Sequence, residues 1–249
     1  LVGSEMCIRD RPAVNPTNTG DGIRMGLDSG GVMVNGDLMR GPAMRFIPPT
    51  RSTFLQRLPP IRPVTRFMRW AFEHLPAPLL RPFLLSFLTT TLAPSVGMFG
   101  QGAILVDRDG VRFVDEQAGR DALDIASGTR PDGYVYVVFD RRLAEKLNVW
   151  PNFVSSAPSV GSAYLDDYRR TRPDIYHRAD SVAGLATSMK VPVEALERTF
   201  REYNDGHSPY GVASRGDRQP LDAPPYFALG PAVGNLSLIH ISEPTRPER

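Results

Sequence analysis

The sequence predicts a folded chain of mixed class, α/β or α+β. Three observations carry this. "DGYVYVVFD" (Asp132 to Asp140) is a run of β-branched and aromatic residues, the signature of a buried strand, and "RRLAEKL" follows it at helical spacing. "GAILVDRDGVRFVDE" (Gly102 to Glu116) reads as a hairpin. Between Ser181 and Asn204 two apolar stripes repeat with the period of a helix.

In chain order, "NTGDGIRMGLDSGG" (Asn18 to Gly31) is a glycine turn entering a helix. Asp21 or Thr19 can cap it, and Gly30-Gly31 stops it. The segment from Met44 to Trp70 is broken repeatedly by proline. In the hairpin, Ala103, Leu105, Val111 and Phe113 supply the alternation and Asp109-Gly110 the turn. Asp107-x-Asp109-Gly110 has the start of a calcium loop, but Ala118 stands where an EF-hand needs its closing glutamate, so a turn is expected. Val182, Leu185, Ala186 and Met189 form one helix face. Pro192 opens a second helix with the stripe Leu196, Thr199, Phe200 and Tyr203.

Composition excludes several classes. The chain has 249 residues, is 41% hydrophobic and carries a formal net charge of +2, with no Lys/Arg run, which argues against nucleic acid as a partner. The most apolar stretch, Leu75 to Pro94, contains Pro76, Pro78, Arg81 and Pro82, so no transmembrane segment is read there. It is expected either as ordinary core or as an apolar wall or patch for a hydrophobic ligand. Nucleophile-elbow, zinc-protease and P-loop motifs are missing, and His74, His177 and His207 lie in separate segments without metal spacing, so no metal site is expected.

The two ends are expected not to be native. Leu236 to Arg246 can be encoded by a string whose reverse complement, read from its second base, encodes Leu1 to Asp10. The string resembles a sequencing-library adapter, and residues 1–10 and 236–249 are set aside on that ground. Cys7, the only cysteine, goes with them, leaving no disulfide or thiolate chemistry. The remainder then reads as an interior fragment of a longer protein.

Five segments in fixed order, "NTGDGIRMGLDSGG", "GAILVDRDGVRFVDEQAGRD", "VYVVFD", "DSVAGLATSMKVPVEALERTFREYN" and "PLDAPPYFALG", resemble the fumarate reductase/succinate dehydrogenase flavoprotein superfamily, which includes 3-ketosteroid dehydrogenases. The resemblance implies an α/β, Rossmann-like FAD-binding domain, here truncated, with an inserted α+β cap domain. It places residues 11–45 at the end of the first part of the FAD domain, 46–226 in the cap and 227–235 in the return to the FAD domain.

The resemblance also implies the site. Thr19, Gly20, Asp21 and Gly22 match the family's FAD contact. Glycines let a ligand approach the backbone, and a helix N-terminus offers unpaired N–H groups, although a plain N-cap aspartate is the alternative. Arg120 matches the arginine that, in fumarate reductases, reaches from the cap toward the flavin and delivers a proton. The alternative for it is an ion pair with Glu116, four residues earlier, if the segment is helical.

Two departures stand out. By the resemblance, the positions of a proton-relaying glutamate and arginine fall near Val96 and Phe99, and "MRGPAMRF" has no substrate histidine. A small dicarboxylate is therefore not expected; a small apolar substrate, such as a steroid-like enone, is. The expected protein is an FAD-dependent oxidoreductase, cytoplasmic, moving a hydride between flavin and a C–C/C=C bond beside a carbonyl, with this piece inactive alone. The alternative is a non-catalytic binding module for an apolar ligand or a partner subunit.

Overall fold

The valine- and aromatic-rich strand that the sequence marks is the middle of the molecule's main sheet. The computed structural model describes residues 21–32, 43–47, 61–75, 80–81, 85, 89, 92–130, 133–157, 161–206 and 219–235. Strand β1 is Ala43–Phe46, β2 is Ile104–Asp107, β3 is Tyr134–Asp140, β6 is Tyr176–Ala179 and β7 is Tyr226–Asn235. They form a five-stranded, all-antiparallel sheet among the described residues, in the order β1-β7-β3-β2, with β6 also on β7. The first half of β7 pairs with β6 (Tyr176↔Leu229) and its second half with β1 (Ala43↔Asn235), so two strands share one edge. The changeover falls at Gly230-Pro231, where the β3–β7 register also shifts; Pro231 has no N–H to give to a ladder. Short strands β4 (Ser155–Ala157) and β5 (Gly161–Ala163) form a separate hairpin.

Both faces of the sheet are covered, and the pleat divides its residues between two cores. Leu105, Val135, Val137 and Phe139 join Met44, Phe46, Met98, Phe99, Leu123 and Tyr168 on one side. Ile104, Val106, Tyr136 and Val138 join Leu185, Met189, Leu196 and Phe200 on the other. Two-sided burial explains why β3 reads as a continuous apolar run, without alternation.

The helices follow local chemistry. Helix α1 (Asp21–Asp28) stops where the glycines predict: Gly30 has φ +85°, Gly31 N–H donates to the Gly26 carbonyl at 2.9 Å, and Gly30 N–H donates to that of Leu27. Helix α2 is Arg62–His74, with Pro63 in its first turn, so the proline-rich excursion contains a regular helix. Helix α3 is Val96–Gly100, α4 is Arg120–Gly128, α5 is Arg141–Lys146 and α6 is Leu165–Thr171. The Asp140 carboxylate caps α5, accepting from the N–H groups of Arg142 and Leu143. Ser181 caps α7 (Val182–Met189), whose Leu185, Ala186 and Met189 are buried as the stripe requires. Pro192 is the N-cap residue of α8 (Val193–Asn204), and Leu196, Thr199, Phe200 and Tyr203 are all buried.

Where described, the apolar stretch from Leu75 to Pro94 is tied to the protein body. Leu80 and Leu85 are buried. Arg81 meets the Asp167 carboxylate at 2.9 Å, and Thr89 meets Thr171 at 3.0 Å. Among the described residues no helix is long and apolar enough to cross a membrane.

Candidate active site

Arg120 is the first residue of α4. Gly119, with φ +91°, turns the chain into the helix. The half-buried Arg120 side chain donates through Nη2 to the Pro94 carbonyl at 2.9 Å, which fastens the start of α4 to the strap leading into α3. That strap is itself held, since Ser95 N–H donates to the Val154 carbonyl at 2.7 Å. Farther along α4, the Asp124 carboxylate accepts from Met44 N–H at 2.9 Å, joining the helix to β1.

The alternative pairing of Glu116 with Arg120 does not occur. The segment between them is not one helix, and Glu116 turns the other way. Its Oε1 accepts from Leu105 N–H at 3.1 Å, and both carboxylate oxygens bind the Arg112 guanidinium, at 2.7 Å to Nη2. Arg112 also lies over the Tyr203 ring, 5.4 Å from its centroid. Both partners are buried, so this pair desolvates two charges against each other and pins the loop from β2 to α4. The sequence placed an arginine four residues on either side of Glu116, and only burial decides between them.

The hairpin reading needs a second correction. After the turn only one residue pair, Val106↔Arg112, is bridged, so β2 has no full returning partner strand. The Asp107 carboxylate accepts from Asp109 N–H and Val111 N–H, each at 3.0 Å, so it organises a turn as the calcium alternative lost to. Burial pushes its pKa up, against the opposing effect of those two N–H groups. Among the described residues no group of histidine, cysteine or acidic side chains could hold a metal.

Thr19 and Gly20 lie outside the described residues. Asp21 and Gly22 form the exposed first turn of α1, and a Cβ built at Gly22 would meet nothing within 4 Å, so a ligand can approach this backbone closely. Of the two residues near the expected relay positions, Phe99 is sunk in the core and Val96 is half-buried. His177 has other partners: its Nδ1 meets Ser188 Oγ at 2.8 Å and its Nε2 faces the Gly230 carbonyl at 3.2 Å, while His74 serves α2 and His207 lies outside the described residues.

An open cleft of about 670 Å³ is lined by Gln101, Asp140, Arg142, Lys146, Asn152 and Gln219, among others, and not by Arg120. Arg142 is engaged there by Asp222 and Asp140, which leaves the cleft's chemistry that of a surface ion-pair network.

No family model matches the chain. A curated relative, probable fumarate reductase Ifc3 of Shewanella frigidimarina (strain NCIMB 400), is 28% identical over 139 residues, covering 54% of this chain and 21% of the relative. Among solved structures, the open conformation of a flavocytochrome c3 fumarate reductase superposes with a TM-score of 0.58 at 19% identity, covering 94% of this chain and 32% of that one. The 3-ketosteroid Δ1-dehydrogenase of Sterolibacterium denitrificans, in complex with 1,4-androstadiene-3,17-dione, superposes with a TM-score of 0.50 at 16% identity, covering 91% and 37%. The chain is thus similar in sequence to a probable fumarate reductase, and in fold to a fumarate reductase and a 3-ketosteroid dehydrogenase. The chain shares their fold over most of its length and spans a fifth to about a third of theirs.

Proposed function

We propose that this chain is the cap and an adjoining piece of an FAD-dependent oxidoreductase that acts on a C–C/C=C bond beside a carbonyl in an apolar, steroid-like substrate. The observation that carries the reading is the fold shared with both a fumarate reductase and a 3-ketosteroid dehydrogenase, with Arg120 held at the start of a helix by the Pro94 carbonyl.

When bound, FAD would supply the hydride chemistry. Thr19 to Gly22 would hold it, with the exposed Asp21-Gly22 turn offering a close backbone approach. In this reading Arg120 points one N–H at Pro94 and uses others of its five donors on the substrate carbonyl oxygen, orienting it and handling the proton beside the reacting carbon. The apolar residues Val96 and Phe99, near where fumarate reducers carry charged relay groups, support an apolar substrate over a dicarboxylate. The pairing of β7 with β3 as far as Val233 supports placing the return out of the cap along β7.

The test uses the full-length protein containing this chain. It should purify with a flavin spectrum that 3-ketosteroids or other apolar enones change, by bleaching the oxidised flavin or reoxidising the reduced one, while fumarate leaves it unaltered. A folded, colourless product, or a response to fumarate alone, overturns the reading.

A further inference from the structure

Helix α2 divides into three strips at 100° per residue. Ala71, with the half-buried Val64 and Met68, faces the protein. Beside that strip Phe67 is 65% exposed and Trp70 49% exposed. Their rings stack at 5.9 Å, and Trp70 stacks on His74 at 5.4 Å, giving a continuous aromatic ridge on the outside of the helix. The next strip carries Arg62, Arg66 and Arg69, all exposed, against a single acid, Glu73, which pairs with Arg69 at 2.8 Å. Ile61, 49% exposed, extends the apolar side at the N-cap.

We propose that α2 lies on an anionic lipid bilayer, with Phe67, Trp70 and His74 at the headgroup–acyl boundary and the three arginines on lipid phosphates. Three features favour this occupant. The aromatic ridge and the basic strip are neighbours, so a surface that takes both must be apolar below and negative above, as an anionic bilayer is. Thirteen residues make a helix of about 20 Å, too short to span a bilayer and suited to lying in its interface. Most of the helix surface other than the Ala71 strip is open, so docking needs no rearrangement of the core. The inference stands apart from the oxidoreductase reading, since it requires neither FAD nor Arg120.

The test is sedimentation of the full-length protein with vesicles of phosphatidylcholine containing phosphatidylglycerol, and with vesicles of phosphatidylcholine alone. Binding is expected to the anionic vesicles, to weaken as salt rises, and to fall by about tenfold in F67S/W70S and in R62Q/R66Q/R69Q. W150S, which removes a still more exposed tryptophan outside α2, should bind as the parent does. Absence of binding, or equal loss in W150S, overturns the proposal. So does an F67S/W70S protein with a lowered melting temperature, because the ridge would then be buried against another part of the protein. A concentration-dependent dimer dissolved by F67S/W70S would assign the ridge to a second copy and likewise overturn it.

Discussion

Arg112 and Glu116 close a buried, two-pronged ion pair, 2.7 Å at its shorter prong, in the loop that delivers Arg120 to the start of its helix. The carboxylate also takes Leu105 N–H, so the loop is fastened to the sheet's edge strand by the same group that neutralises the guanidinium. Removing one member leaves a charge without its counterpart in a dry place. Glu116→Ala should lower unfolding free energy by about 3–5 kcal/mol in urea titrations. R112M/E116L, which removes both charges and keeps the volume, should recover most of that loss. A single mutant within about 1 kcal/mol of the parent would show the pair to be hydrated.

Arg120 makes a different prediction. Its one described hydrogen bond goes to a main-chain carbonyl, so Arg120→Ala should cost only about 1 kcal/mol of stability. Under the proposed function, the same change in the full-length protein should reduce kcat/KM by about a hundredfold or more, with flavin content unaltered. Steady-state turnover with an apolar enone measures this, and a variant of undiminished turnover would remove Arg120 from the catalytic list.

His177 should give stability a pH dependence of known sign. Burial holds its pKa below the ordinary 6.5, outweighing the Gly230 carbonyl and Ser188, which act the other way. The unfolded chain therefore binds the proton first. The stabilisation from neutral His177 is complete above 6.5 and is lost as pH falls from there toward the folded-state value. Urea midpoints measured across that interval should decline on acidification, and His177→Gln should flatten the decline. An identical slope in the variant would assign it to other groups.

Gly230→Ala tests the crowded changeover on β7. A Cβ there would sit 2.7 Å from Tyr136 Cδ1 and 2.9 Å from the Val135 carbonyl oxygen, and the second of these is backbone that cannot swing aside. The variant should lose about 1–3 kcal/mol, read as a fall in melting temperature. Gly22→Ala, with nothing within 4 Å, serves as its control and should change the fold's stability little.

The parts of the fold legible in sequence are those whose burial is set by local period. All four stripe residues of α8 are buried, three of the four face residues named for α7 are, and the glycine stop after α1 follows from a backbone conformation that few other residues adopt. The illegible parts are set by partners distant in the chain. Nothing near Tyr226 announces that one strand will carry β3 on one side and both β6 and β1 on the other. Arg172 is hidden for the same reason. Arginine is normally read as a surface residue, yet here it is 2% exposed, gripping Asp174 and donating to the carbonyls of Thr89 and Ile47. At the candidate site, the motif around Arg120 is what singles it out, while the partner of Glu116 is set by the three-dimensional neighbourhood.

The pairing of Ala43 with Asn235 has a genetic corollary. The polypeptide enters the sheet along β1 and leaves it along the end of β7, so these two points of the chain lie side by side. Two points held this close would let the body between them be carried within a longer gene at a single codon junction without prising the surrounding strands apart. Its interior can then drift in length, proline content and surface chemistry while the junction stays put.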